Sequence, residues 1–174
     1  MRSKCNLDSF ARLDPFDLAK KMEVAILDPT QIPGLSEEIF KQLLVCDSGA
    51  WSAGTLHIPG GRDHVIINPT HDIRRQRTSL MEELSHIELG HKPSRLVHNN
   101  GVCIRSWNQT QETQAYWVGS AALVPRRAIK GAKTLGLTIQ VFADRQGVSV
   151  RLVEFREKVV GIRLSRDDAE ALEE

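Results

Sequence analysis

Residues 79–91 read SLMEELSHIELGH. Leu80, Leu84 and Ile87 fall at i, i+4 and i+7, with Met81 beside them, and Ile73 lies one heptad earlier. That spacing is one face of an amphipathic helix, and the run HDIRRQRTSLMEELSHIEL keeps it over residues 71–89. Gly90 is the stop, because glycine takes the left-handed backbone that closes a helix, and Pro93 bars its resumption. Glu82 and His86 stand four apart, so they share a face with Cβ atoms roughly 5–6 Å apart. Glu83 lies next to Glu82. Zinc peptidases with the pattern H-E-x-x-H hold the ion with two histidines at this spacing and use the glutamate between them as general base. Here His86 stands at the second histidine, Glu83 at the base, and Glu82 where the first histidine would be. Charged helix faces carry such spacing often, so the pattern alone decides little.

The surrounding elements give it context. Downstream, TQETQAYWVGSAAL over residues 110–123 reads as a second long helix ended by Pro125, and it places Glu112 near its start. A carboxylate on a second helix is a common way to complete a two-helix zinc site. Upstream, Asp14 and Pro15 open a short helix and residues 23–27 read as a strand. Ser36 caps a helix with apolar positions Ile39, Phe40, Leu43 and Leu44. Residues 52–58 and 64–68 form a hairpin across a Pro-Gly-Gly turn. Between the long helices, Asn99-Asn100-Gly101 reads as a turn after a loop, and VCIRSW as a short strand. The expected fold is α+β: a small antiparallel or mixed sheet packed on the two long site helices, then short C-terminal helices.

Composition narrows the class. The chain has 174 residues, 41% hydrophobic and 26% charged, which suits a globular domain and excludes disordered and collagen-like chains. No apolar run reaches the ~18 residues of a membrane span. The N-terminal residues carry no apolar stretch, so no secretory leader is expected. Three cysteines, Cys5, Cys46 and Cys103, are odd in number and far apart, which favours neither a disulfide framework nor a cysteine zinc site. The cytoplasm is the expected compartment.

With these elements in place, the chain resembles the ImmA/IrrE family of metallopeptidases. That family carries H-E-L-x-H on one helix and, on the next, a pattern close to E-x-x-A-x-x-(F/W/V)-(A/G)-x-x-L-(L/V)-x-P. This sequence reads Glu112-Thr-Gln-Ala115-Tyr-Trp-Val118-Gly119-Ser-Ala-Ala-Leu123-Val124-Pro125, with a difference of at most one residue at the end. The resemblance covers roughly residues 15–130. It implies Glu83 as general base, with His86 and Glu112 as metal ligands. Glu82 stands at the remaining ligand position, where the family has histidine. The resemblance also implies a zinc cofactor and a protein substrate, a transcriptional repressor of the helix-turn-helix type. A carboxylate in place of a neutral histidine lowers the formal charge of the metal and its ligands from +1 to 0, so bound water is acidified less. Oxygen-rich ligation also moves preference toward manganese.

Other residues have secondary roles. His91 lies about 140° round the helix from His86 and joins it as a ligand only if Gly90 breaks the helix. Tyr116, four past Glu112, faces the same way and is a candidate for hydrogen bonding an oxyanion or the site carboxylates; core packing is its other reading. His57 and His64 are on the hairpin strands and are candidates to line a groove. Trp107 and Trp117 are expected in the core.

Charge is uneven along the chain. Residues 125–163 hold nine basic and three acidic residues, a local +6, whereas residues 164–174 hold one Arg against five acids, or −4. Within the basic segment Ala143, Gly147, Ser149 and Val153 fit a helix-turn-helix. Its second helix would carry Arg151, Glu154, Arg156 and Lys158 toward DNA. Packing beneath the catalytic unit is the favoured alternative. The expected organisation is a metallopeptidase-like unit over 1–130, a basic helical extension over 131–163 and an acidic tail over 164–174.

Overall fold

A computed structural model describes residues 1–58, 60–91 and 108–166, and the backbone of 96–99 and 102–105. Three strands form one mixed sheet: β1 (Ala25–Leu27), β2 (Ala53–Leu56) and β3 (His64–Ile67), in the order β1-β3-β2. The β2–β3 hairpin is antiparallel, with Thr55 opposite Val65, and β1 runs parallel to β3, with Ile26 opposite Val65. Strand β2 is therefore an edge. Strand β1 begins two residues later than the sequence suggests, because Glu23 takes a left-handed backbone at φ 58° that no ladder accommodates.

Helices supply the rest. Helix α1 (Pro15–Lys21) is capped by Asp14, whose carboxylate accepts from the Phe16 amide. Helix α2 (Glu37–Lys41) is capped by Ser36 and runs into a π-helical turn over Gln42–Cys46; neither segment buries a residue. Helix α3 (Ile73–Glu88) is capped by Asp72 and stopped by Gly90 at φ 64°. Helix α4 (Gln109–Leu123) follows Asn108 as cap. Between them lies a second hairpin, β4 (Leu96–Asn99) with β5 (Val102–Arg105). The first of these strands falls where the sequence reads as loop. The Asn100-Gly101 turn and Trp107 lie outside the described residues.

Three helices close the chain: α5 (Arg126–Thr134), α6 (Ile139–Gln146) and α7 (Val150–Val160). Gly147 turns the backbone at φ 65° between α6 and α7, and the Ser149 side chain caps α7, so the expected helix-turn-helix geometry forms. Arg156 does not join an outer face. It is 6% exposed and its Nε donates to the Val124 carbonyl at 3.1 Å. Helical spacing turns Arg156 to the side of Leu152 and Val153, both buried, and away from exposed Arg151 and Glu154.

One apolar core runs through the molecule, from Leu18 of α1 and Val65 of β3, through Leu80 and Leu84 of α3, to Phe142 and Val153. Helix α3 packs chiefly on α4. Gly119 permits close approach, since a Cβ there would lie 3.0 Å from Ser85 Oγ and 3.2 Å from the Met81 carbonyl. Trp117 is not in the core: it is half exposed, with one edge on Phe155. Among the described residues, no helix is long and apolar enough to cross a membrane.

Candidate active site

Helix α3 buries Leu80, Met81, Leu84 and Ser85. That face fixes the helix, and the same rotation leaves Glu82, Glu83 and His86 partly buried at its margin. The Met81–Gly119 and His86–Glu112 contacts show α4 running opposite to α3, so the start of α4 meets the end of α3. Edge strand β2 lies on the other side. A cavity of about 430 Å³ opens between them, with Glu83, His86 and Glu112 along one wall and Thr55, Trp51 and Ile66 among the others.

The titratable groups of this cavity have defined neighbours. Thr55 Oγ1 donates to Glu83 Oε2 at 2.5 Å. His86 Nε2 lies 3.4 Å from Glu112 Oε2. His91 returns to the site because Gly90 breaks the helix, and its Nδ1 is 3.1 Å from His86 Nδ1. Its Nε2 meets Gln114 Oε1 at 3.1 Å. His91 thus meets His86 at the nitrogen remote from Glu112, where a second group orients an imidazole ligand. His57 also lines the cavity, paired with Asp63 at 2.6 Å, but His64 is not among its lining residues.

Glu82 is partly buried, like Glu83 and His86, but does not line the cavity. Burial pushes its carboxyl up to about 7, and the Glu83 and Glu112 carboxylates push the same way. Tyr116 lies close by: burial and Glu82 raise its phenol, with Arg151 opposing. Its ring packs on Phe155 at 4.8 Å, the packing role, and it does not line the cavity.

Do these residues fit a metal ion? A tetrahedral ion with bonds of about 2.0–2.2 Å sets its donors roughly 3.4 Å apart. His86 Nε2 and Glu112 Oε2 stand at that separation. Three neighbouring carboxylates with one imidazole also suit a cation, whose charge would relieve the repulsion that raises Glu82. Yet among the described residues no three His, Cys, Asp or Glu side chains converge as a ligand set. The site is a two-donor half-site of His86 and Glu112.

A half-site of this kind on two antiparallel helices, beside an edge strand, is the architecture of a small metallopeptidase. The family model for the IrrE N-terminal-like domain, a peptidase family, matches residues 42–158, and the chain belongs to that family. No curated protein and no solved structure matches the chain. The matched span includes every site residue named here. Thr55 is the functional partner that sequence reasoning missed. It lies 28 residues from Glu83 on a strand of otherwise unremarkable sequence, and only the pairing of strand and helix brings them together.

Proposed function

We propose that this chain is a metal-dependent endopeptidase whose substrate is a helix-turn-helix transcriptional repressor. The observation that carries the reading is the Glu83 carboxylate, held by Thr55 in the cavity wall that also carries His86 and Glu112. His86 and Glu112, with Glu82 once ionised, would hold a zinc ion, or manganese given the oxygen-rich set. Such an ion, when bound, supplies Lewis acidity and lowers the pKa of its water. Glu83 takes the proton as water adds to the scissile carbonyl and returns it to the departing amide nitrogen. Thr55 keeps one Glu83 oxygen engaged at the cavity wall. His91 orients His86 through their Nδ1 atoms. The repressor as substrate rests on family membership.

Two properties of Glu82 favour slow turnover. A carboxylate there leaves the metal and its ligands less positive, so water is acidified less than with histidine. Its raised pKa means that ion binding must also displace a proton near neutral pH. The same two facts favour a second reading, a catalytically inactive relative that keeps the fold and acts as a protein- or DNA-binding regulator.

Elemental analysis of protein purified without chelator, beside a Glu82→Ala/His86→Ala control, separates the two. Near one equivalent of zinc or manganese, lost in the control, is the expected result. Glu83→Gln is then expected to keep the metal and lower cleavage of repressor by at least about 100-fold, the low end for a lost general base. A metal-loaded protein whose cleavage is unchanged in Glu83→Gln would remove Glu83 from the chemistry. A protein that takes up no ion even from added zinc would establish the non-catalytic reading.

A further inference from the structure

A second, larger groove of about 590 Å³ lies between the N-terminal segment and helices α5 and α6. It shares no lining residue with the Glu83 cavity. Phe142 and Leu137 are among the residues that make it apolar, and Leu135 and Phe10, 71% and 60% exposed, stand at its edge. Phe10 lies on Gly131, where a Cβ would come within 2.7 Å of the ring. Four cations line the groove, Arg12, Arg127, Lys130 and Arg145, and no carboxylate does. In a chain with net charge +1 that is a strong local bias. All four are exposed, and among the described residues none has an ion pair.

Gln146 ties the groove to the N-terminal segment. It lines the same groove and is 6% exposed. Its Nε2 donates to the Phe10 carbonyl at 3.4 Å, but its Oε1 is buried with no hydrogen-bond partner. The cationic rim and apolar floor call for an occupant with acidic side chains and an apolar one. A phosphate backbone offers acceptors only and gains nothing from an apolar floor.

We infer that this groove is a docking site for an acidic amphipathic peptide segment of a partner protein. Leu or a similar side chain seats on Phe142 and Leu137, and the flanking carboxylates meet Arg127, Lys130 and Arg145. The site is independent of the Glu83 chemistry and stands whether or not that centre hydrolyses peptides.

Fluorescence anisotropy with a short labelled Glu/Leu peptide tests it on the full chain. The expected result is saturable, salt-sensitive binding, weakened at least about tenfold by Arg127→Glu/Lys130→Glu and by Leu135→Ser, and unchanged by Glu83→Gln or chelator. These substituted side chains are exposed, and an unchanged Tm verifies the fold. A matched Lys/Leu peptide or a Glu/Ser peptide is expected not to bind. Equal binding of either control, or insensitivity to the charge reversal, overturns the proposal. Tighter binding of random duplex DNA than of peptide, lost in the same variant, overturns it in favour of nucleic acid. Binding seen only after residues 167–174 are removed overturns it in favour of the chain's own acidic segment.

Discussion

The carboxyl of Glu82 is partly buried beside Glu83, Glu112 and Tyr116, and its pKa of about 7 places its titration at neutral pH. The folded state prefers it protonated, whereas the unfolded chain releases that proton near 4.5. Its contribution to stability is therefore complete below about pH 4.5 and is lost as pH rises through 7. That shift is worth roughly 3 kcal/mol of differential stability. Glu82→Gln keeps the shape and removes the charge. In chelator, the variant is expected to melt with wild type at pH 4.5 and several degrees above it at pH 8. Thermal melts at both values check this, and equal differences at the two pH values would show that Glu82 is not the buried acid. In the proposed zinc site the preference inverts, since only an ionised carboxylate ligates. Histidine at this position removes the conflict, so Glu82→His is expected to raise zinc affinity and cleavage together.

Between residue and molecule, the pairing of α3 with α4 sets the site. His86 and Glu112 lie on different helices, so their 3.4 Å separation is a property of the packing. Gly119 governs that packing, with Ser85 Oγ and the Met81 carbonyl against it. Alanine there gains up to about 1 kcal/mol of helix propensity, which offsets mild crowding. Valine adds two methyl groups with no room and is expected to cost about 1–3 kcal/mol. It is also expected to part the helices and weaken metal uptake, although no donor is changed. Titration of zinc into Gly119→Val, with a denaturant melt, checks both; unaltered uptake in a destabilised protein would uncouple helix spacing from the site. These helices were legible in the sequence because their apolar residues keep helical spacing over long runs, and Gly90 stops α3 where expected; the caps Asp72 and Asn108 emerge only in the structure. Glu83, His86 and Glu112 followed from that. The π-helical turn at Gln42–Cys46 and strand β4 were not legible, being short segments whose conformation answers to neighbours.

At the scale of the whole molecule, the C-terminal helices share the core of the site helices. Val124, Ala128 and Ile129 pack in one cluster with Phe142, Leu152, Val153 and Leu164. Polar ties reinforce it: Glu157 Oε1 accepts from the Leu164 amide at 2.7 Å, and Arg166 pairs with the same carboxylate. Sequence reading separated a catalytic unit from a basic extension because charge changes sharply near residue 125, and charge reports the surface. Burial of Arg156 and Glu157 within a charged run shows why that reading is partial. The groove lined by Phe10, α5 and α6 escaped for a related reason: its walls are more than a hundred residues apart in sequence. A chain ending at residue 130 tests the sharing. It would expose Leu123, Val124 and Ile129, now 2% exposed or less. Three such side chains are worth roughly 5–9 kcal/mol, against a net stability of about 5–15 kcal/mol for an ordinary domain. The shortened chain is expected to lose its cooperative thermal transition and near-ultraviolet dichroism and to bind a hydrophobic dye. A sharp melt within a few degrees of the full chain would instead establish residues 1–130 as a self-sufficient unit and α6–α7 as an appended module.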